Sequence, residues 1–147
     1  MRARRALPSE ARAQASWIAA MEPWLSLGYA SAPLGRYLAR MARGGRALVV
    51  LRGRSVVGIA VHQPDFLLGQ FIALLAVRPD AAGTGVGRAL VGRIEADCFR
   101  ARRWLYVSSD SQNRPAARFY RKLGFARLAR LPDLVCPGRT EILWRKV

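Results

Sequence analysis

The stretch FIALLAVRPDAAGTGVGRALVGRIE, residues 71–95, decides the fold of this chain. Its first part, residues 71–77, is apolar at successive positions, which predicts a strand covered on both faces and central in its sheet. Its last part, residues 86–95, has apolar side chains at 86, 90, 91 and 94, which share one face of a helix. The stretch therefore predicts a strand, a glycine-rich loop and a helix in succession.

The connecting loop contains Gly83-Thr84-Gly85-Val86-Gly87. Glycines at every second position allow a tight turn whose amide N–H groups point at a ligand, as in an anion-binding nest. The N-terminus of the following helix adds partial positive charge, so a phosphate or pyrophosphate is the natural occupant. The alternative to a phosphate site is an ordinary strand-to-helix connection, because glycines are also common in loops that bind nothing.

Two common phosphate-binding loops do not fit these residues. A triphosphate P-loop needs Gly-Lys followed by Ser or Thr, whereas Gly87 is followed by Arg88 and Ala89. A dinucleotide fold places its glycines directly after the strand, but residues 78–82 intervene, and Arg88 occupies the position of the third glycine.

The flanking sequence adds helices before this unit and strands on both sides of it. Helices are predicted from Pro8 through Ala20, from Ser31 to the glycines at 44 and 45, and around Pro115 up to Gly124. Strands are predicted at 47–51, 55–62, 104–107, 125–131 and 140–144, with a loop at Pro64 and Asp65. With no internal repeat or linker, residues 1–147 form one mixed α/β domain.

The composition limits the classes of partner and site. The net charge is +16, and lysine occurs only at 122 and 146, so arginine supplies most of the positive charge. Such a field favours polyanions, either nucleic acid or a cofactor with several phosphates. Cys98, Cys136 and the single histidine are too few for a metal cluster, and no metal site is predicted. No apolar run approaches the ~20 residues of a membrane span, so a cytoplasmic location is expected.

Two sequence blocks resemble those of the GNAT acyltransferases. Val77-x-Pro79 followed by glycines 83, 85 and 87 resembles the first block, and the second is present as Asn113, Ala116, Tyr120, Gly124 and Phe125. The resemblance covers residues 46–147, the sheet and acyl-CoA-binding core, while residues 8–43 are similar to the family's first two helices. It also implies a first strand, for which only residues 1–7 are available, so that strand should be short, basic or absent.

The resemblance implies a single-domain GNAT-like α/β fold, with a central, mixed, mostly antiparallel sheet flanked by helices. It also implies an N-acyltransferase that moves an acetyl group from acetyl-CoA to a primary amine of a small molecule or peptide by direct attack. Backbone N–H groups at the end of the central strand would polarise the thioester carbonyl. The implied cofactor-binding residues are Leu75, Ala76, Val77, Ala82, Gly83, Thr84, Gly85, Val86, Gly87, Arg88, Ala89, Asn113, Ala116, Tyr120 and Lys122.

The resemblance also assigns Tyr120 as the acid that protonates the departing sulfur. Many members carry a glutamate as base where this chain has Ala73, and an Arg or Gln on the pyrophosphate where it has Ala82. The base is therefore left open between a water relay, no base at all, and four side chains: Glu141, Asp110, Asp65 and His62. The cations that could replace the missing contact are Arg88, Arg118, Arg121 and Lys122.

Two other functions remain open from sequence. The two alanines would suit a CoA-binding module with little catalysis, and the arginine excess would suit a nucleic-acid-binding protein on the same scaffold. The acceptor site is expected to be shaped by residues 63–69, residues 132–139 and the first two helices. A homodimer could form if the last strand were exposed and paired across a two-fold axis.

Overall fold

The computed structural model describes residues 1–100 and 104–146. Val147, the last residue of the predicted core 46–147, lies outside the described residues. In chain order the elements are β1 (Ala3–Arg5), α1 (Pro8–Ala13), α2 (Ala15–Ala19), α3 (Ser31–Arg43), β2 (Ala47–Arg52), β3 (Ser55–Phe66), β4 (Gly69–Val77), α4 (Val86–Arg100), β5 (Trp104–Asp110), α5 (Arg114–Lys122), β6 (Ala126–Pro132) and β7 (Thr140–Lys146), with a short 3₁₀ turn at Pro79–Ala81.

The seven strands of the described residues form one sheet in the order β1-β2-β3-β4-β5-β7-β6. β4 lies at its centre, as predicted, and runs parallel to β5, while the other neighbours are antiparallel. The parallel pair follows from the helix between the two strands, because a helical crossover brings the chain back to the end of the sheet where it started. The predicted mixed, mostly antiparallel sheet is confirmed.

Helices cover the sheet on both faces, which gives two apolar layers. One layer lies under α4 and α5, and the other lies under α1, α2 and α3. The predicted apolar face of α4 is confirmed, since Val86, Leu90, Val91 and Ile94 are all buried. α4 lies very close to β3 at Gly58, where a side-chain Cβ would collide with Val86. None of the described helices is long and apolar enough to cross a bilayer.

The N-terminal region contains the first strand, whose existence was open from sequence, and its first helix differs from the prediction. The first strand exists, and it is short and basic: β1 contains two arginines in three residues and pairs with β2. The helix predicted from Pro8 through Ala20 is divided into α1 and α2 at Gln14. At that residue the backbone N–H reaches the carbonyl of Ala11, three residues back, so the chain tightens and the α-helical spacing is interrupted.

One further sequence expectation was wrong. Pro64 and Asp65 lie in β3 rather than in a loop, and the hairpin turn falls at Leu67 and Leu68. Pro64 is tolerated because it lies in an irregularity of the pairing with β4, where a strand N–H is not required. The last strand, left open from sequence as a possible dimer edge, is interior, because β7 lies between β5 and β6. The edge strands of the described sheet are β1 and β6.

Candidate functional site

The site is created by a divergence of the two central parallel strands. Within the part of the chain that the structure describes, β4 and β5 pair over four residue pairs, from Gly69 with Trp104 to Ile72 with Val107. Beyond this point residues 74–77 of β4 pair with β3 alone, and residues 108–110 of β5 pair with β7 alone. The sheet therefore opens into a cleft at the carboxyl end of β4, the position where ligands bind in open α/β sheets.

The cleft widens into a cavity of about 1090 Å³, which is the size of a large ligand site. One end is formed by the tip of β4, the glycine turn and the start of α4, and the adjoining wall is formed by α5. The other end is formed by the loop of residues 20–30 between α2 and α3, together with Asp110, Gln112 and Arg139. We call these parts the glycine end and the loop end.

Backbone geometry at the glycine end suits an anion. Gly83 and Gly85 have φ of +75° and +91°, values that favour glycine. The Thr84 hydroxyl donates to the Ala81 carbonyl at 2.6 Å, which holds the turn in this conformation. α4 begins immediately afterwards at Val86, so its free N–H groups open towards the cavity.

Most of the residues assigned to the cofactor by resemblance line this one cavity. They are Leu75, Ala76, Val77, Ala82, Gly83, Gly85, Val86, Gly87, Arg88, Asn113, Ala116, Tyr120 and Lys122. Thr84 and Ala89 are absent from the described lining: the Thr84 hydroxyl is hydrogen-bonded to the Ala81 carbonyl, and Ala89 packs against the core under α4. Of the four candidate phosphate cations, Arg88 and Lys122 line the cavity, whereas the Arg121 guanidinium lies 5.3 Å from the ring centre of Trp144.

Helix α5 holds Tyr120 at the cavity wall. The Asn113 side chain caps the helix by accepting a hydrogen bond from the Ala116 N–H at 3.2 Å. The Tyr120 ring makes edge contacts with Phe119 and Phe125, at centroid distances of 5.3 and 5.6 Å. Burial, followed by the charge of Glu141, raises the pKa of the phenol, so the hydroxyl is protonated at neutral pH.

Three of the four candidate bases are poorly suited to the role, two because of their position and one because of its partners. His62 Nδ1 is hydrogen-bonded to Gln70 Oε1 at 3.1 Å, next to the part of β4 that pairs with β5. Its pKa is lowered mainly by burial. Asp65 lies further along β3, away from the divergence. The buried Asp110 carboxylate does reach the cavity, but it accepts from Arg139 Nε at 2.7 Å and from the Gln112 N–H at 2.8 Å.

Glu141 is the fourth candidate and has a different environment. Its residue is 9% exposed, and its carboxylate accepts a hydrogen bond from the Ser108 hydroxyl at 3.1 Å. Burial raises the pKa of this carboxyl, and the neighbouring Asp110 acts in the same direction. Glu141 pairs with Asp110 across β5 and β7, so it lies one strand behind the cavity wall.

The loop end contains residues that sequence reasoning did not single out. Met21, Glu22, Trp24 and Ser26 line it, and Arg139 Nη1 donates to the Ser26 hydroxyl at 3.3 Å across 113 residues of sequence. Arg139 lies in the predicted acceptor segment 132–139, and the loop directly follows the predicted first helix. Residues 63–69 do not contribute to the described lining, because they adjoin the start of β4.

Comparisons with known proteins support one family. A model of the GNAT acetyltransferase domain matches residues 43–127. Ard1 from Thermoplasma volcanium superposes with a TM-score of 0.80 at 23% identity, over 98% of this chain and 95% of that one. A ribosomal-protein-alanine N-acetyltransferase from Brucella melitensis gives 0.78 at 18% identity, over 100% and 99%. No curated protein sequence is significantly similar to the chain.

A third structure contains the cofactor. It is an acetyltransferase from Bacillus anthracis in complex with acetyl coenzyme A, with a TM-score of 0.63 at 17% identity, over 68% of this chain and 60% of that one. At these identities the superpositions establish the fold, and the family model establishes the family, since it spans more than half of the chain. The chain belongs to the GNAT acetyltransferases, which are acyl-CoA-dependent N-acetyltransferases that use acetyl-CoA.

Proposed function

We propose that this enzyme transfers the acetyl group of acetyl-CoA to a primary amine of a small molecule or peptide by direct attack. One observation carries the proposal: a single cavity joins the glycine turn to Tyr120 across the divergence of β4 and β5. Acetyl-CoA needs groups that bind its phosphates and groups that act on its thioester within one cleft. The glycine turn is suited to the first task and Tyr120 to the second, and both line this cavity.

The cofactor is placed by the groups that the cavity offers. We assign its pyrophosphate to the N–H groups of residues 83–87, with Arg88 and Lys122 as nearby cations. The acyl arm would follow β4 at residues 75–77, which lack a strand partner on the side facing β5. Backbone N–H groups on that side are free to hydrogen-bond the thioester carbonyl and the oxyanion that forms from it.

The proposed reaction has two stages, attack by the amine on the thioester and departure of coenzyme A. The amine nitrogen forms a bond to the thioester carbon, and the carbonyl electron pair moves to oxygen. When the C–O double bond reforms, the C–S bond breaks and its electron pair stays on sulfur. The Tyr120 hydroxyl then gives its proton to that sulfur, which leaves coenzyme A as a thiol. The nitrogen, positively charged after the attack, loses one proton to give the neutral amide, and the Tyr120 phenolate regains one from solvent.

The acceptor would enter at the loop end of the cavity. Trp24 and Met21 offer apolar surface there, and hydrogen bonds from Ser26 lower the pKa of Glu22, so its carboxylate is ionised at neutral pH. Arg139 ties this loop to β5 through Ser26 and Asp110. An ammonium group approaching this end therefore meets a negative charge in a protein that is otherwise strongly basic.

Calorimetric titration with acetyl-CoA at two salt concentrations, followed by a panel of primary amines and peptides, tests the proposal. We expect stoichiometric binding and turnover of at least one amine, with free coenzyme A released in equal amount. Binding without turnover on any amine would contradict the proposal and favour a CoA-binding role. Tight retention of DNA or RNA with a steep salt dependence, and no acetyl-CoA binding, would favour the nucleic-acid alternative.

Ala82 gives a prediction of increased affinity. It is exposed and lines the cavity beside the glycine turn. We expect Ala82→Arg to tighten acetyl-CoA binding about threefold, because an added guanidinium at a solvated site contributes roughly 0.5–1 kcal/mol. Ala96→Arg, on an exposed position ten residues into α4, adds the same charge elsewhere and should leave the Kd unchanged. Equal tightening in both variants would mean that net charge alone sets the affinity.

A further inference from the structure

Glu141 is distinguished from the other carboxylates near the cavity by what surrounds it. Asp110 is held by the Arg139 guanidinium and the Gln112 N–H, and the exposed Glu22 carboxylate accepts the Ser26 N–H at 2.8 Å. Glu141 has an uncharged partner, the Ser108 hydroxyl, and is buried. A buried carboxylate whose hydrogen-bond partner is uncharged keeps a higher affinity for protons, as a proton acceptor requires.

Sheet geometry places this carboxyl close to the reaction. Glu141 and Asp110 are directly paired across antiparallel strands, so their side chains share one face of the sheet with Cβ atoms about 5 Å apart. Asp110 lines the cavity, and Glu141 is thus about one strand spacing from that wall, a distance that one water molecule can bridge. Its charge also reaches Tyr120, on the opposite side of the site, and raises the pKa of the phenol.

We propose that Glu141, oriented by Ser108, accepts the proton of the incoming ammonium through a water molecule, in place of the glutamate that position 73 lacks. This inference rests on the proposed acetyl transfer. One proton passes from the ammonium to the water as a proton of that water passes to the carboxylate, which becomes a neutral acid. The freed amine lone pair then forms the new bond to the thioester carbon.

The inference predicts a defined dependence on pH. The base works only when ionised, so kcat/KM should rise as pH increases through the pKa of Glu141. Burial and three neighbouring residues act on that pKa: burial and Asp110 raise it, and Ser108 and Arg139 lower it. Removing the Ser108 hydroxyl takes away a lowering influence, so Ser108→Ala should move the acidic limb of the profile to higher pH.

The test uses the primary amine that the wild type acetylates fastest. We expect Glu141→Gln, which keeps the shape of the side chain, to reduce kcat/KM about 100-fold or more and to lose the acidic limb. Asp65→Asn also converts a carboxylate to an amide, but near the end of β3 and away from the cavity. This control variant should keep the pH profile of the wild type. With hydroxylamine, a nucleophile that is already neutral at pH 7, Glu141→Gln should lose far less rate, whereas a damaged site would slow both nucleophiles alike.

The outcomes separate this inference from the proposed function. A wild type that acetylates no amine contradicts both. An active wild type whose Glu141→Gln variant keeps its rate within about threefold, with the same acidic limb, overturns the role of Glu141 alone. If Glu141→Gln does not fold, the Ser108→Ala profile decides: a limb at higher pH supports the inference, and an unmoved limb overturns it.

Discussion

Tyr120→Phe should lower kcat about 100-fold or more while acetyl-CoA still binds with nearly its original Kd. Among the described residues, the hydroxyl has no hydrogen-bond partner, and the residue lines the cavity, so the hydroxyl is available to a ligand. Phenylalanine keeps the ring contacts with Phe119 and Phe125 and removes only the proton donor. General acid catalysis contributes about 10²–10⁴-fold in rate, which sets the expected loss.

The control for this prediction is Tyr106→Phe, the same chemical change at another buried tyrosine. The Tyr106 hydroxyl donates to the Leu67 carbonyl at 3.0 Å, near the start of β4 and away from the cavity. That variant should lose about 1 kcal/mol of unfolding free energy and keep its kcat. If Tyr120→Phe kept kcat within about threefold of the wild type, another group, or solvent, would be protonating the sulfur. Steady-state kinetics and calorimetry measure both quantities.

Gly85→Val should weaken acetyl-CoA binding about 100-fold without unfolding the protein. The φ of +91° at this residue is strongly unfavourable for a β-branched side chain, so the turn must change shape and its N–H groups no longer converge. Space is not the obstacle, because the nearest atom to an added Cβ is Met1 Sδ at 4.0 Å. A 100-fold loss corresponds to about 2.7 kcal/mol of binding free energy.

Gly53→Val is the matched control for backbone strain. Gly53 has a φ of +61° in the turn between β2 and β3, with no atom within 4 Å of an added Cβ. Both variants should lose on the order of 1–2 kcal/mol of stability, and Gly85→Val alone should lose affinity. Equal Kd values for Gly85→Val and the wild type, measured by calorimetry, would contradict the assignment of the pyrophosphate to this turn.

The central unit was predictable because each part carries its own local signal. Continuous apolar residues identify a buried strand, helical spacing identifies α4, and alternate glycines identify a turn that requires positive φ. β4 and α4 appear in the structure where these signals place them. Asn113 and Tyr120 were also identifiable, but only through the second block of the family pattern, since a short helix with aromatic residues is otherwise unremarkable.

The loop end was not predictable, because its contacts are made across long distances in the sequence. Nothing near Ser26 indicates that Arg139 will reach it, and the loop before α3 has no periodic pattern. The position of β7 between β5 and β6 also depends on long-range pairing, which strand propensity does not specify. The boundary between the N-terminal helices at 8–43 and the core at 46–147 stays a prediction. The cofactor-binding and catalytic roles that the resemblance assigns stay predictions as well, those of Tyr120, Thr84 and Ala89 included.

The short pairing between β4 and β5 has a mechanical consequence. Among the described residues, the backbone pairing that joins β1 to β4 with β5 to β7 consists of four residue pairs. A ligand that lies in the gap and touches both halves acts as a brace between them, and it binds only when they are assembled. Acetyl-CoA should therefore raise the melting temperature, with about 2.7 kcal/mol of added stability when its free concentration is 100 times the Kd.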